Sequence, residues 1–262
     1  MSTTSGVLTT DGLYRRIRLD PIEHLGERSP RMLHAYTFGY ESALAHHRAP
    51  PLVDELGRYI NEWVAARIEL TEEHEGRLNA SSCFSAESYA LLHSADEVEA
   101  LDRYLALWSE ALAHVHAEGI EIEPSPAWSR DSPLIDQIRF VGQRPGMWFG
   151  SSRVANYWAF ANGFRWAEHD LDRSSLDVAR LRAFQSWMDE RYPFGRGVSW
   201  ARTIRCLAIQ EPAREHECFF EHLDMFLAGA DANAPDPTME RMVAAIVAHA
   251  ANAERDGGND NE

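Results

Sequence analysis

The residues of this chain richest in ligand and nucleophile chemistry run together at 215–222, Glu-His-Glu-Cys-Phe-Phe-Glu-His. Cys218 and His222 are four apart, so on a helix they share a face and could hold a metal. A zinc-protease helix, however, needs two histidines four apart, and His216 and His222 are six apart. Neither His-Glu-x-x-His nor Glu-x-x-His occurs anywhere, which removes the paired motif of di-iron helical bundles. A serine nucleophile elbow needs Gly-x-Ser-x-Gly, and Gly197-Val-Ser-Trp-Ala201 fails at its last position. These spacings predict no metal, no cofactor and no catalytic residue that a local motif can reveal.

A second stretch, Arg144 to Ser152 (RPGMWFGSS), resembles a loop of the type II topoisomerase ATPase domains. Those enzymes also need an Asp-x-Gly-x-Gly segment for adenine and a glycine-rich lid over the phosphates. This chain has neither, and Gly195-Arg-Gly197 lacks the third glycine of a dinucleotide fingerprint. No nucleotide is expected.

Within 215–227 a different pattern stands out. Glu217, Glu221 and Asp224 fall at i, i+4 and i+7, a narrow carboxylate stripe on one side of a helix. Like charges four apart cost a helix a few tenths of a kcal/mol, roughly, with no return to folding. A solvated helix face is the plain alternative to a binding surface.

The elements that must carry this stripe repeat within the chain. Gly39 falls on Gly163, Tyr40 on Phe164, Ala43 on Ala167, Trp63 on Trp187 and Val64 on Met188. After a deletion, Tyr104 falls on Phe219 and Leu112 on Leu227. Apolar residues recur at helical spacing in both copies, as at Tyr36, Tyr40, Ala43 and Leu44, or Tyr59, Ile60, Trp63 and Val64. The expected fold is all-α, two tandem pseudo-repeats of about four helices each plus a C-terminal helix. The divisions are an N-terminal arm at 1–23, repeat one at 24–117, a linker at 118–138, repeat two at 139–230, a C-terminal helix within 231–254 and a disordered tail at 255–262. The linker could begin with a short extended piece at 119–124. Trp63 and Trp187 read as core residues at equivalent places. The last helix of repeat two is expected to bury Phe219, Phe220, Leu223, Phe226 and Leu227 on one side. Ser151 or Ser152 could cap the helix that follows, and Ser94 the one leading into repeat one's last helix.

In repeat one the stripe positions hold Asp102, Ala106 and Ser109, and nothing matches the extra residues Met147, Trp148 and Phe149. A duplicated frame keeps what folding needs, so features present in one copy are candidates for acquired function.

With 41 acidic and 25 basic residues the net charge is −16, which argues against nucleic acid or an anionic membrane as partner and favours a basic protein. Cys83, Cys206 and Cys218 form an odd, sparse set without a Cys-x-x-Cys pair, as expected of free thiols in the cytoplasm. No apolar leader opens the chain and no stretch is long and apolar enough for a membrane span.

On GQRPGMWFGSS, NYWAFANGFRWAEHD, FQSWMDERYP and the Ser-Trp helix that precedes the acidic-aromatic one, the second repeat resembles bacterial helical immunity proteins linked to polymorphic toxins. The resemblance implies neutralisation of a cognate protein toxin, often a cationic nuclease, by direct binding. Glu217, Glu221 and Asp224 would then meet basic residues, and Trp148 and Phe149 would supply a desolvated aromatic anchor. The alternative is an enzyme or defence-system effector with a motif-free site between the two repeats.

Overall fold

In the computed structural model the described residues are 9–50, 54–67, 86–121, 132–192, 197–209 and 211–233. Residues 234–254 of the stretch expected to carry the C-terminal helix, the tail, Cys83 and residues 122–131 of the 118–138 linker lie outside them. Among the described residues the regular structure is all helical, with no strand. The chain divides into two compact units at Ala179/Arg180, so the division falls inside a helix and not in the linker.

The first unit opens with α1 (Thr10–Leu19), within the stretch expected as an arm. Thr9 caps it by accepting from the Gly12 amide at 3.2 Å, and Leu13, Tyr14 and Ile17 form its buried stripe. Asp20 ends α1 and starts α2 (Pro21–Leu25), its carboxylate accepting from the Glu23 amide at 2.9 Å. Proline at the first helical position gives up an amide that would have no helical partner anyway.

Two long helices, α3 (Pro30–His46) and α9 (Val154–Asp170), form the centre of this unit. Both are apolar around most of their circumference, the pattern of a helix surrounded by others. Gly39 of α3 lies against the Phe160 carbonyl, and Gly163 of α9 lies against the Tyr36 carbonyl. A β-carbon at either glycine would overlap those backbone atoms, so the absence of a side chain sets how closely the axes approach. Tyr36, Tyr40, Phe160 and Phe164 close around the contact, all fully buried.

Five further helices complete this unit. They are α4 (Asp54–Ala65), α5 (Ala86–Leu92), α6 (Glu97–Glu118), α7 (Leu134–Gly142) and α8 (Pro145–Phe149). In α6 the buried residues Leu101, Leu105, Trp108, Ala111 and Val115 step by three and four, and Trp108 stacks on Tyr14 with ring centroids 3.7 Å apart. The cap of α6 is Asp96, which accepts from the Val98 and Glu99 amides at 2.9 Å, while Glu99 reaches back to the Ala95 amide. Ser94, expected as the cap, instead accepts from Arg103. Ser151 and Ser152 do not cap α9 either: Arg153 holds the cap position, and Ser151 accepts from the Asn156 side chain.

The second unit takes the C-terminal part of α10 (Leu176–Arg191), α11 (Trp200–Leu207), a 3-10 turn (Pro212–Arg214) and α12 (Glu215–Leu227). Its core is aromatic. Phe184 has Trp187, Trp200, Phe219 and Phe226 around it with centroids 5.5 to 6.4 Å away, and Trp200 stacks on Phe219 at 4.9 Å. Trp187 is buried and donates its indole N–H to the Ala230 carbonyl at 2.9 Å. Trp63 is only half-buried, its ring covered by the Arg67 guanidinium at 4.0 Å.

Candidate functional site

Helix α12 follows from its sequence: acids in the first turn suit the positive end of the helix dipole, and aromatics recur at helical spacing. Cys218, Phe219, His222 and Leu223 fill its buried side. Phe220 and Phe226 are half-buried and Leu227 is exposed, so the apolar side is narrower than the spacing predicts.

Glu217, Glu221 and Asp224 are all exposed on the opposite side. Arg214, in the turn just before α12, lies 3.1 Å from Glu217 and 3.7 Å from both Glu221 and Glu211. The hydrogen bond to Glu217 and the surrounding carboxylates push the Arg214 pKa above its ordinary value. One guanidinium therefore serves three carboxylates, and the cluster keeps an excess of negative charge. Arg214 continues the same face three residues before Glu217, but it precedes the helix, so the periodicity of the helix alone does not single it out.

The aromatic pair belongs to the first unit, so it and the stripe are carried by different compact units. Phe149 is 3% exposed and packs against Phe38, Tyr157 and Phe160, with centroids 5.5 to 6.4 Å away. It is a core residue, so the anchor expected on this loop rests on Trp148 alone. Trp148 is half-buried: it stacks on Phe38 at 5.6 Å, and its backbone carbonyl accepts from His34 Nε2 at 3.1 Å. Gly150, at φ +69°, ends α8 in a conformation that favours glycine. Met147 beside it is 66% exposed.

Cys218 and His222 do meet, with Sγ 3.6 Å from Nδ1. His222 Nδ1 is also 2.7 Å from the Cys218 carbonyl, which can only accept, so Nδ1 carries the proton. Nε2 then accepts from the Tyr192 hydroxyl at 2.6 Å. With its proton on Nδ1, the imidazole cannot take one from the thiol beside it, and His222 instead satisfies two buried polar groups. No cluster of three or more metal-ligating side chains occurs among the described residues, and no helix there is long and apolar enough to cross a membrane.

A buried polar layer along α9 carries no motif. Arg16 of α1 makes two hydrogen bonds to Asp170, at 3.0 and 2.7 Å, and the Tyr40 hydroxyl donates to the same carboxylate at 2.8 Å. Burial, then the Asp170 charge, raises the Tyr40 pKa. Glu168 accepts from His47 at 3.0 Å and from the Ser175 amide at 3.0 Å. These partners lie more than 120 residues apart in the chain, except for Ser175, and only the fold brings them together.

Comparison with family models, with curated proteins and with solved structures finds no match to this chain.

Proposed function

We propose that this chain is an immunity protein that binds and neutralises a basic protein toxin domain in the cytoplasm, with no enzymatic activity of its own. The observation that carries this reading is the exposed carboxylate stripe of Glu217, Glu221 and Asp224 on a helix whose opposite side supplies the core of its unit. A net charge of −16 adds a long-range field that speeds capture of a cationic partner and disfavours nucleic acid or an anionic membrane. Trp148, half-buried beside the exposed Met147, offers a second and apolar contact.

The stripe sits in a frame we read as duplicated. Gly39 and Gly163, paired by the sequence, make reciprocal contacts, each on the carbonyl of the residue three positions before the other glycine. Two copies related by an approximate two-fold axis through the crossing would give that reciprocity, which supports the pairing of the two central helices. Co-purification of the tagged chain from its native host, followed by mass spectrometry, tests the function. The expected result is a stoichiometric basic protein whose toxicity the chain suppresses. A bound metabolite or a turnover activity in its place contradicts the reading.

A further inference from the structure

His24 closes α2, and only 2% of it is exposed. Its ring lies 4.8 Å from the Trp166 indole of α9 and edge-on to Tyr36 of α3 at 5.8 Å, with Nδ1 3.3 Å from the Tyr36 hydroxyl. The Asn162 amide of α9 donates to the carbonyls of Glu23 and His24 at 2.8 and 2.6 Å, fixing this turn to the central pair. The charged neighbours come from α1, α2 and α9, and α3 contributes the titratable Tyr36. Arg16 of α1 and Arg165 of α9 both lie over the Trp166 ring, at 5.1 and 5.4 Å. Asp20 and Glu23 come from the segment of α2 itself, and Asp170 is engaged by Arg16 and Tyr40 with His169 at 3.6 Å. Leu13, Tyr14, Ile17 and Leu25 are the apolar surface that α1 and α2 bury.

We propose that His24 is an acid-sensitive latch that holds α1 and α2 on α3 and α9, and that its protonation releases the two helices together. A third cation in this cage has little water to solvate it and shares the space with Arg16 and Arg165. Tyr36 can turn its hydroxyl to accept from a protonated Nδ1, so the cost is electrostatic and not a lost hydrogen bond. Burial first, and the Arg16 charge second, hold the His24 pKa below its ordinary value, outweighing Glu23 and Asp20. In the released form the ring is in water and titrates near the ordinary value of about 6.5. Between these two values the released form binds more protons, so closure is complete above about 6.5 and weakens as pH falls through that window.

The test is amide hydrogen exchange of the full chain at about pH 7 and about pH 5, corrected for intrinsic exchange rates, on either side of the ordinary histidine value. The expected result is a loss of protection of about tenfold at 10–25, with the centre of α9 unchanged. His24→Gln keeps a partner for Tyr36 but has no proton to gain, and should remove most of that difference. The imidazole resonance of His24 in the unmodified protein gives a second readout that does not depend on the variant folding. A midpoint below about 6.5 is expected. A midpoint at or above that value, the same pH response in His24→Gln, or loss of protection at 10–25 only together with α9 overturns the latch.

Discussion

The α3–α9 crossing and the outer face of α12 differ in how much the fold asks of each side chain. At the crossing the position of a single β-carbon decides whether the helices can meet, because Gly39 and Gly163 lie on backbone carbonyls that cannot turn aside. On α12 the stripe points away from the Phe219 and Leu223 core, and its ion pairs to Arg214 are exposed, where such pairs contribute little. The acidic face of α6 falls between them. There Asp102 pairs with Arg28 at 2.7 Å, and Arg153 bridges Glu27 at 2.9 Å and Glu97 at 3.8 Å, so the carboxylates reach cations from distant parts of the chain. Carboxylates of the same type therefore pair with cations distant in the chain on α6 and with the cation of the preceding turn on α12. Net charge alone does not distinguish the two.

The largest effect is expected at the crossing. Gly163→Ala places a methyl on the Tyr36 carbonyl and should cost about 3 kcal/mol or more, read as a lower urea midpoint with an unchanged slope. A variant as stable as the parent would show that the two helices can move apart freely.

Next in size is the split within the aromatic pair. Phe149→Ala empties a core site and should cost about 3 kcal/mol, whereas Trp148→Ala should cost roughly 1 kcal/mol, since its ring is half-buried. Equal losses in denaturant melts would return Trp148 to the core and remove it as a contact for a partner.

A smaller effect is expected on the ion-pair network. Arg153→Ala takes one guanidinium away from the part-buried Glu27 and should cost about 1 kcal/mol, diminished by salt. Reversing Glu221 and Asp224 to lysine should change stability by less than about 0.5 kcal/mol. If thermal melts rank these two the other way, the stripe belongs to the fold.

Much of the helical frame was legible in the sequence because it rests on periodicity. The stripe's exposure follows from the i, i+4, i+7 spacing, and the sequence alignment of the two halves pairs the glycines that meet at the crossing. Three features were not legible, each for a physical reason. The polar and glycine-rich run before Leu13 hid α1, whose stripe of Leu13, Tyr14 and Ile17 is too short to signal a helix alone. Which serine caps a helix depends on where the free amides point, so Asp96 and Arg153 took positions that local chemistry gave to Ser94 and Ser151 or Ser152. The inward turn of Phe149 is fixed by Phe38, Tyr157 and Phe160, and the Arg16–Asp170 pair spans 154 residues, so neither leaves a local trace.

On the proposed function the α12 stripe faces a basic protein and not only water. Surface plasmon resonance against the basic protein recovered by co-purification, at low and physiological salt, tests this. For the double variant Glu221→Lys and Asp224→Lys the account predicts association slowed about tenfold at low salt, a smaller loss at higher salt, and an unchanged melting temperature. Association at the parent rate at both salt concentrations would contradict it and leave the stripe a solvated helix face.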